Sequence, residues 1–473
     1  MAAGSLGCTL ATVSAVTGVD TAGARSLLSE LYRVAVDSVD GARVLARHAA
    51  VCEGEWRFER EGRTLNLTLP APRSDGRLRL IGIGKAAAAL AEGVIASLSD
   101  RHRPDDVFLI VNEASRAQAT RLMGAVSPSA LTIHVGEHPL PGPASEAAGR
   151  ALIEFIGTPR VEDRYIVMLS GGASALCAVP ASGLTLADKQ RATELTMRSG
   201  APIEELNALR RMLSAIKGGG LARRLAPARF VTVAISDVRG DDPTVIGSAP
   251  TVECARDPDA VIQNLQARGV WTLLPSSVRG VLQRHVSLQH DAAQPDNYAV
   301  IASLDDALRA VHREARRRGM TVHELGRTLY DSTSVHAAEW AERLRAQLSM
   351  YRERDAGPVL WLAGGEPVVT VRGQGRGGRA QHLALQVAER IDGVPAVCFL
   401  AAGTDGRDGP TDAAGGIADG GTWARIRAAG ADPAALLADD DSHGALSLAG
   451  DLFRTEATST NVADVVMAIA GYR

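Results

Sequence analysis

Short apolar runs that each end in a glycine-rich or acidic loop most restrict the folds open to this chain. RLRLIGIG (77–84) leads straight into the alanine-rich, helix-favouring KAAAALAEGVIASL (85–98). VFLIV (107–111), YIVML (165–169) and FVTVAIS (230–236) are similarly apolar, and the last two run directly into Ser170-Gly171-Gly172 and Asp237. Strands alternating with helices predict a parallel α/β sheet joined by right-handed crossovers. Residues 1–50 are helical in pattern, with Leu27, Leu31 and Val34 on one face.

A second block begins near residue 300. YAVIAS reads as a strand, Leu304, Leu308, Val311 and Ala315 form a helical stripe, and VLWLAGGE (359–366), VVTVR (368–372) and VCFLAAG (397–403) read as further strands. The polar stretch between about 271 and 297 reads as a linker. Two domains are therefore expected, 1–285 and 297–473, in a chain of 473 residues.

Composition narrows the function. Lysine and arginine total 51 against 54 acids, a net charge of −3, which does not suggest a nucleic-acid partner. Aromatics are 4%, too few for a base-stacking platform. No apolar run approaches the length of a membrane span. The opening MAAGSLGCTLATVSAV lacks early basic residues and reads as a frayed end rather than a signal peptide. Cys8, Cys52, Cys177, Cys254 and Cys398 are scattered and form no CxxC pair, so thiols in a reducing cytoplasm are expected.

The loops carry the chemistry, because ligands of open α/β sheets bind beyond the carboxyl ends of the strands. Gly82-Ile83-Gly84-Lys85-Ala86-Ala87 fits the G-x-G-x-x-A dinucleotide pattern, but the next strand ends in Asn112-Glu113 without a well-placed ribose acid. Lys85 at a helix start suits a phosphate or carboxylate. Ser170, Gly171, Gly172 and Ser174 offer backbone amides and hydroxyls to an anion, and G-x-S-x-G is absent, which disfavours acyl transfer. Lys217 opens a run of three glycines. Asp237 and Asp241 are hard oxygen donors suited to Mg²⁺, and Asp237 also suits general base work on a hydroxyl. Three further loops join glycine to charge at Glu366, Arg379 and Asp405, and an arginine fork matches a phosphoryl group. His138 and His443 read as lone structural histidines.

SGGASAL, GLTLADKQ, IEELNALRRMLSAIKGGGLA, ISDVRGDDPTVIGSAPTV, LAGGEP, GRGGRAQ and GTDGRDGPTDAAG, in that order, resemble the type-2 glycerate kinases, whose C-terminal domain is called MOFRL. The likeness runs from about residue 26 to the C-terminus. It implies a larger Rossmann-like N-terminal domain and a MOFRL-like α/β domain, with the site in the cleft between them. It also implies ATP-dependent phosphorylation of D-glycerate, or a similar small anionic hydroxy acid, to the 2-phosphate with Mg²⁺. The family's functional positions fall on Lys85, Asp237, Arg379, Glu366, Asp405, Asn207 and Lys217. The oligomeric state is left open, a homodimer being one option.

The chain departs from the family pattern at Ala173, Ala380, His382, Ala249, Gly142 and within 455–461. A protonated His382 beside Arg379 would favour a more anionic ligand. The alternatives are an NAD(P)H-dependent hydroxypyruvate reductase and a catalytically altered paralogue that binds a nucleotide or anion.

Overall fold

A computed structural model describes residues 20–71, 75–287, 295–354 and 358–472. The opening segment and Cys8 lie outside the described residues. The chain divides into two compact units: Val36–Leu304 with Ala457–Ala463, and the described parts of Met1–Ala35, Asp305–Glu456 and Asp464–Arg473.

The first unit begins with a three-stranded antiparallel meander, β1 (Ala49–Cys52), β2 (Glu55–Arg60) and β3 (Arg63–Thr68). Glu53-Gly54 and Glu61-Gly62 all have positive φ, so each tight hairpin turn combines one strained glutamate with one unstrained glycine. Alternate residues Trp56, Phe58, Leu65 and Leu67 face inward and are buried.

The main sheet contains β4 (Leu78–Ile83), β5 (Asp106–Val111), β6 (Leu131–Val135), β7 (Arg164–Leu169), β8 (Arg229–Ile235) and β9 (Tyr298–Ala302). Its order is β6-β5-β4-β7-β8-β9, with every pairing parallel. The chain winds outward from β4 in one direction, then outward from β7 in the other. The topological switch point therefore lies between β4 and β7. The central strands are buried on both faces, which explains why they read as unbroken apolar runs.

The second unit has a mixed sheet, in the order β10-β11-β15-β12-β13-β14. Its strands are β10 (Thr321–Leu329), β11 (Val359–Gly365), β12 (Val397–Gly403), β13 (Gly415–Asp419), β14 (Leu452–Phe453) and β15 (Asp464–Ala470). Only β10–β11 is parallel. One face packs on helices Thr333–Arg354 and Arg379–Arg390 around Trp340, Leu383, Val387 and Phe399.

Four expectations change. YAVIAS does not open the second domain: β9 pairs with β8 and completes the first sheet, so the units divide at Leu304/Asp305 rather than near 297. Within the expected linker, helix Ser276–Arg284 buries Val278, Val281 and Leu282 in the first unit's core, while 288–294 lie outside the described residues. VVTVR is not a strand: only Val368 forms a bridge, to Ser332, and Val371 is 71% exposed with no core to cover. The units are also not contiguous in sequence, since Ala457–Ala463 joins the first.

The described cysteines, Cys52, Cys177, Cys254 and Cys398, are free thiols. No described helix is long and apolar enough to cross a membrane.

Candidate active site

The loops after β4 and β7 meet at the switch point. Ser170 N–H donates to Ile83 O (3.2 Å), Lys85 N–H to Gly171 O (3.0 Å), and Ala86 N–H to Ser170 Oγ (2.9 Å). Gly84, at φ +135, has no room for a Cβ, which would strike the Ser170 hydroxyl and lie 2.7 Å from its carbonyl oxygen. Ser170 is fully buried, so its hydroxyl fastens one loop to the other instead of facing a ligand.

Side chains converge over the two glycines. A Cβ on Gly172, which has φ +86, would lie 3.2 Å from His138 Cδ2 and 3.3 Å from Lys85 Cγ. His138 is thus placed beside Lys85, contrary to its reading as a lone structural histidine. A Cβ on Gly171 would collide with Asp237 Oδ2 and Asn461 Nδ2. Asn461 Nδ2 donates to Asp237 Oδ2 at 2.9 Å. The switch point therefore gathers the side chains of Lys85, His138, Asp237 and Asn461 around Gly171-Gly172.

Lys217 is buried, and its ammonium donates to Ser174 O at 3.0 Å and to Ser174 Oγ. Burial, with Lys189 and Arg210 nearby, holds its pKa well below the usual lysine range. The amides of Gly218 and Gly219 are taken by Ser248 O and Ala249 O. This third loop therefore braces the Ser174 turn from beneath and is not an anion cradle. Ser174 Oγ also meets Ser248 Oγ at 3.0 Å. Asn207 is half-buried on helix Ile203–Met212, and no hydrogen bond ties it to the Lys85, Ser170 or Asp237 loops.

Asp241 stands at φ +54 on a single 3-10 turn, Arg239–Asp241. Among the described residues, no group of three or more His, Cys, Asp or Glu side chains could hold a metal ion. The loop therefore forms no protein cage for Mg²⁺. It fits Mg²⁺ as an ion carried by phosphates, which needs only one or two protein carboxylates.

The second unit holds the other charged cluster. Register pairs Gly365 of β11 and Gly403 of β12 with Asp464, the first residue of β15, so the loops carrying Glu366 and Asp405 start at one sheet edge. Arg379, the first residue of helix Arg379–Arg390, donates from Nε to Asp464 Oδ2 (2.6 Å) and from Nη2 to Asp464 Oδ1 (2.9 Å). Nη2 also donates to Glu366 Oε1 at 2.9 Å. Burial disfavours its charge, but Asp464, Glu366 and Asp408 outweigh this and raise its pKa. None of these bonds uses Nη1, which leaves two N–H donors for a ligand. Asp405 is half-buried and accepts from Arg407 N–H at 3.0 Å.

Four residues to which the sequence assigns no role complete these clusters. Asp408 caps the Arg379 helix by accepting from Ala380 N–H (3.1 Å) and Gln381 N–H (2.8 Å), and burial, aided by Asp464, raises its pKa to about 6. Tyr32 Oη donates to Gly403 O at 2.6 Å beneath Asp405. Asp464 opens the last strand and follows no motif, and Asn461, three residues earlier, ends the departing stretch 455–461. His382 is not a second cation beside Arg379. It is buried, which lowers its pKa, and its Nδ1 lies 3.8 Å from Asp440 Oδ1.

A family model described as a domain of unknown function (DUF4147) matches residues 27–283, and the MOFRL family model matches 359–464. The D-glycerate 2-kinase of Thermotoga maritima is 32% identical over 410 residues, spanning 86% of this chain and 94% of that protein. The glycerate 2-kinase of Pyrococcus horikoshii is 32% identical over 401 residues, spanning 83% and 87%. The crystal structure of a glycerate kinase from Thermotoga maritima superposes with a TM-score of 0.74 at 27% identity, covering 94% of this chain and 99% of that one.

Proposed function

This chain belongs to the MOFRL family of type-2 glycerate kinases, and from that premise we propose that it transfers the γ-phosphoryl group of ATP to the 2-hydroxyl of D-glycerate. The observation that carries the residue assignment is the convergence of Lys85 and Asp237 on Gly171-Gly172, at the switch point of a doubly wound sheet.

Phosphoryl transfer needs positioning and charge neutralisation more than covalent chemistry. The Lys85 ammonium meets phosphate or carboxylate oxygens. Asp237 accepts the proton of the substrate hydroxyl as its oxygen attacks the γ-phosphorus and the bond to the ADP oxygen breaks. Arg379, clamped by Asp464 and Glu366, offers its remaining N–H donors to an anionic oxygen. Ser170, Ser174 and Lys217 hold the Gly171-Gly172 turn in shape. Asp241 is the carboxylate in the Asp237 loop that would hold Mg²⁺, which would supply neutralisation of phosphate charge when bound with ATP.

The test is ADP release from ATP and Mg²⁺ with D-glycerate, run beside NADH oxidation with hydroxypyruvate. ADP release without NADH loss is expected. NADH loss without ADP release would replace this reading with a reductase. Nucleotide binding without either reaction would leave a binding protein.

A further inference from the structure

We infer that Asn461 is a positioning residue for Asp237, delivered to the phosphoryl-transfer loops by a segment from the far end of the chain. The inference rests on the reading that Asp237 takes part in transfer. Asn461 lies 224 residues after Asp237, yet its Nδ2 donates to Asp237 Oδ2 at 2.9 Å.

Three features hold the amide in place. Ala463 N–H reaches Asn461 Oδ1 at 3.4 Å, which sets the oxygen away from Asp237 and the NH₂ group toward it. One residue earlier, Thr460 Oγ1 donates to Val39 O at 2.8 Å, fastening the segment to the first unit. Ala463 itself has φ +73, a left-handed backbone that disfavours a residue with a Cβ. The chain accepts that strain immediately after the contact.

Asn461 is buried, and Gly171 has no side chain where Asp237 Oδ2 and Asn461 Nδ2 come together. The carboxylate thus receives a neutral donor in the space that a Gly171 side chain would fill. That bond fixes one oxygen and so limits rotation of the carboxyl group.

The test measures kcat and KM for D-glycerate and for ATP in the full-length protein, its Asn461→Ala and Asn461→Asp variants, and Asp237→Asn. Circular dichroism and thermal melting check the fold of each. Asn461→Ala and Asn461→Asp should each lower kcat by roughly tenfold to a hundredfold, acting through misplacement of Asp237, while KM for both substrates stays within about threefold. A merely structural asparagine would move KM or the melting temperature along with kcat, which overturns the inference. Wild-type kcat in both Asn461 variants, with Asp237→Asn inactive, overturns the inference alone. Full activity of Asp237→Asn overturns the catalytic reading of Asp237, and this inference with it.

Discussion

Asp464 and Arg379 meet as a two-pronged ion pair, Nε to Oδ2 at 2.6 Å and Nη2 to Oδ1 at 2.9 Å, with the Asp464 side chain 2% exposed. A buried carboxylate gripping one edge of a guanidinium through two parallel bonds fixes its plane as well as its charge.

The pair yields a first prediction. Arg379→Lys keeps the charge but cannot reproduce the fork. It should cut kcat by roughly a hundredfold, while the melting transition stays cooperative. Asp464→Asn should cost about 1–3 kcal/mol of stability, read by urea unfolding, since a charge-assisted bond to a buried group is lost. Near-wild-type turnover of Arg379→Lys would reduce Arg379 to a point charge.

Gly171→Ala is a sharper test of the other cluster. The added Cβ would collide with Asp237 Oδ2 and Asn461 Nδ2, so one of them must move. Gly171 is not among the positive-φ residues, so the backbone itself tolerates alanine. The expected outcome is a loss of tenfold or more in kcat with little change in melting temperature. Unchanged kinetics would mean the Asp237–Asn461 contact does not bear on the reaction.

Lys85→Ala should lower kcat/KM by roughly a hundredfold or more, because the ammonium is assigned to transition-state charge. The fold should hold, since the Lys85 backbone N–H and the Ser170 hydroxyl, both kept in the variant, fasten the loop. Steady-state kinetics with thermal melting separate the two effects.

The loops were legible in sequence because glycines packed against hydroxyls and charges leave a dense local signal. Gly84, Gly171 and Gly172 sit where a Cβ would meet another loop or side chain. What each polar side chain does there was less legible. Ser170 and Lys217 look like ligand donors in a motif, yet both point inward, one to Ala86 N–H and the other to Ser174. Burial depends on the strands stacked around them, which no local pattern records. The roles of Asp464 and Asn461 are illegible for the converse reason: their partners, Arg379 and Asp237, are 85 and 224 residues away, although Asn461 itself falls in the motif at 455–461. The β1–β3 hairpins did carry a signal in Glu53-Gly54 and Glu61-Gly62 that the reading passed over. β9 was read correctly as a strand but given to the wrong sheet, since an apolar run does not name its neighbour.

Lys189 supplies the last prediction. It lies on the inward face of helix Leu186–Arg198 with Leu186, Ala192 and Thr196, is 4% exposed, and its Nζ has no hydrogen-bond partner. Burial lowers its pKa from 10.5 to about 8, Arg210 lowers it further, and Cys177 and Glu146 act in the opposite sense. A fall of that size disfavours the charged form by about 3 kcal/mol. The sign follows from the unfolded chain binding the proton more tightly than the folded one. The penalty is complete below pH 8, fades as pH rises, and is gone above about 10.5. Methionine has a similar length and no charge to bury. Lys189→Met should therefore stabilise the protein by about 1–3 kcal/mol at pH 7, as replacing buried ions with apolar groups often does. The gain should shrink steadily between pH 8 and 10.5, measured by urea unfolding at each pH. A gain that is independent of pH would point to better packing, and a loss at pH 7 would mean that the ammonium has a stabilising partner in solution.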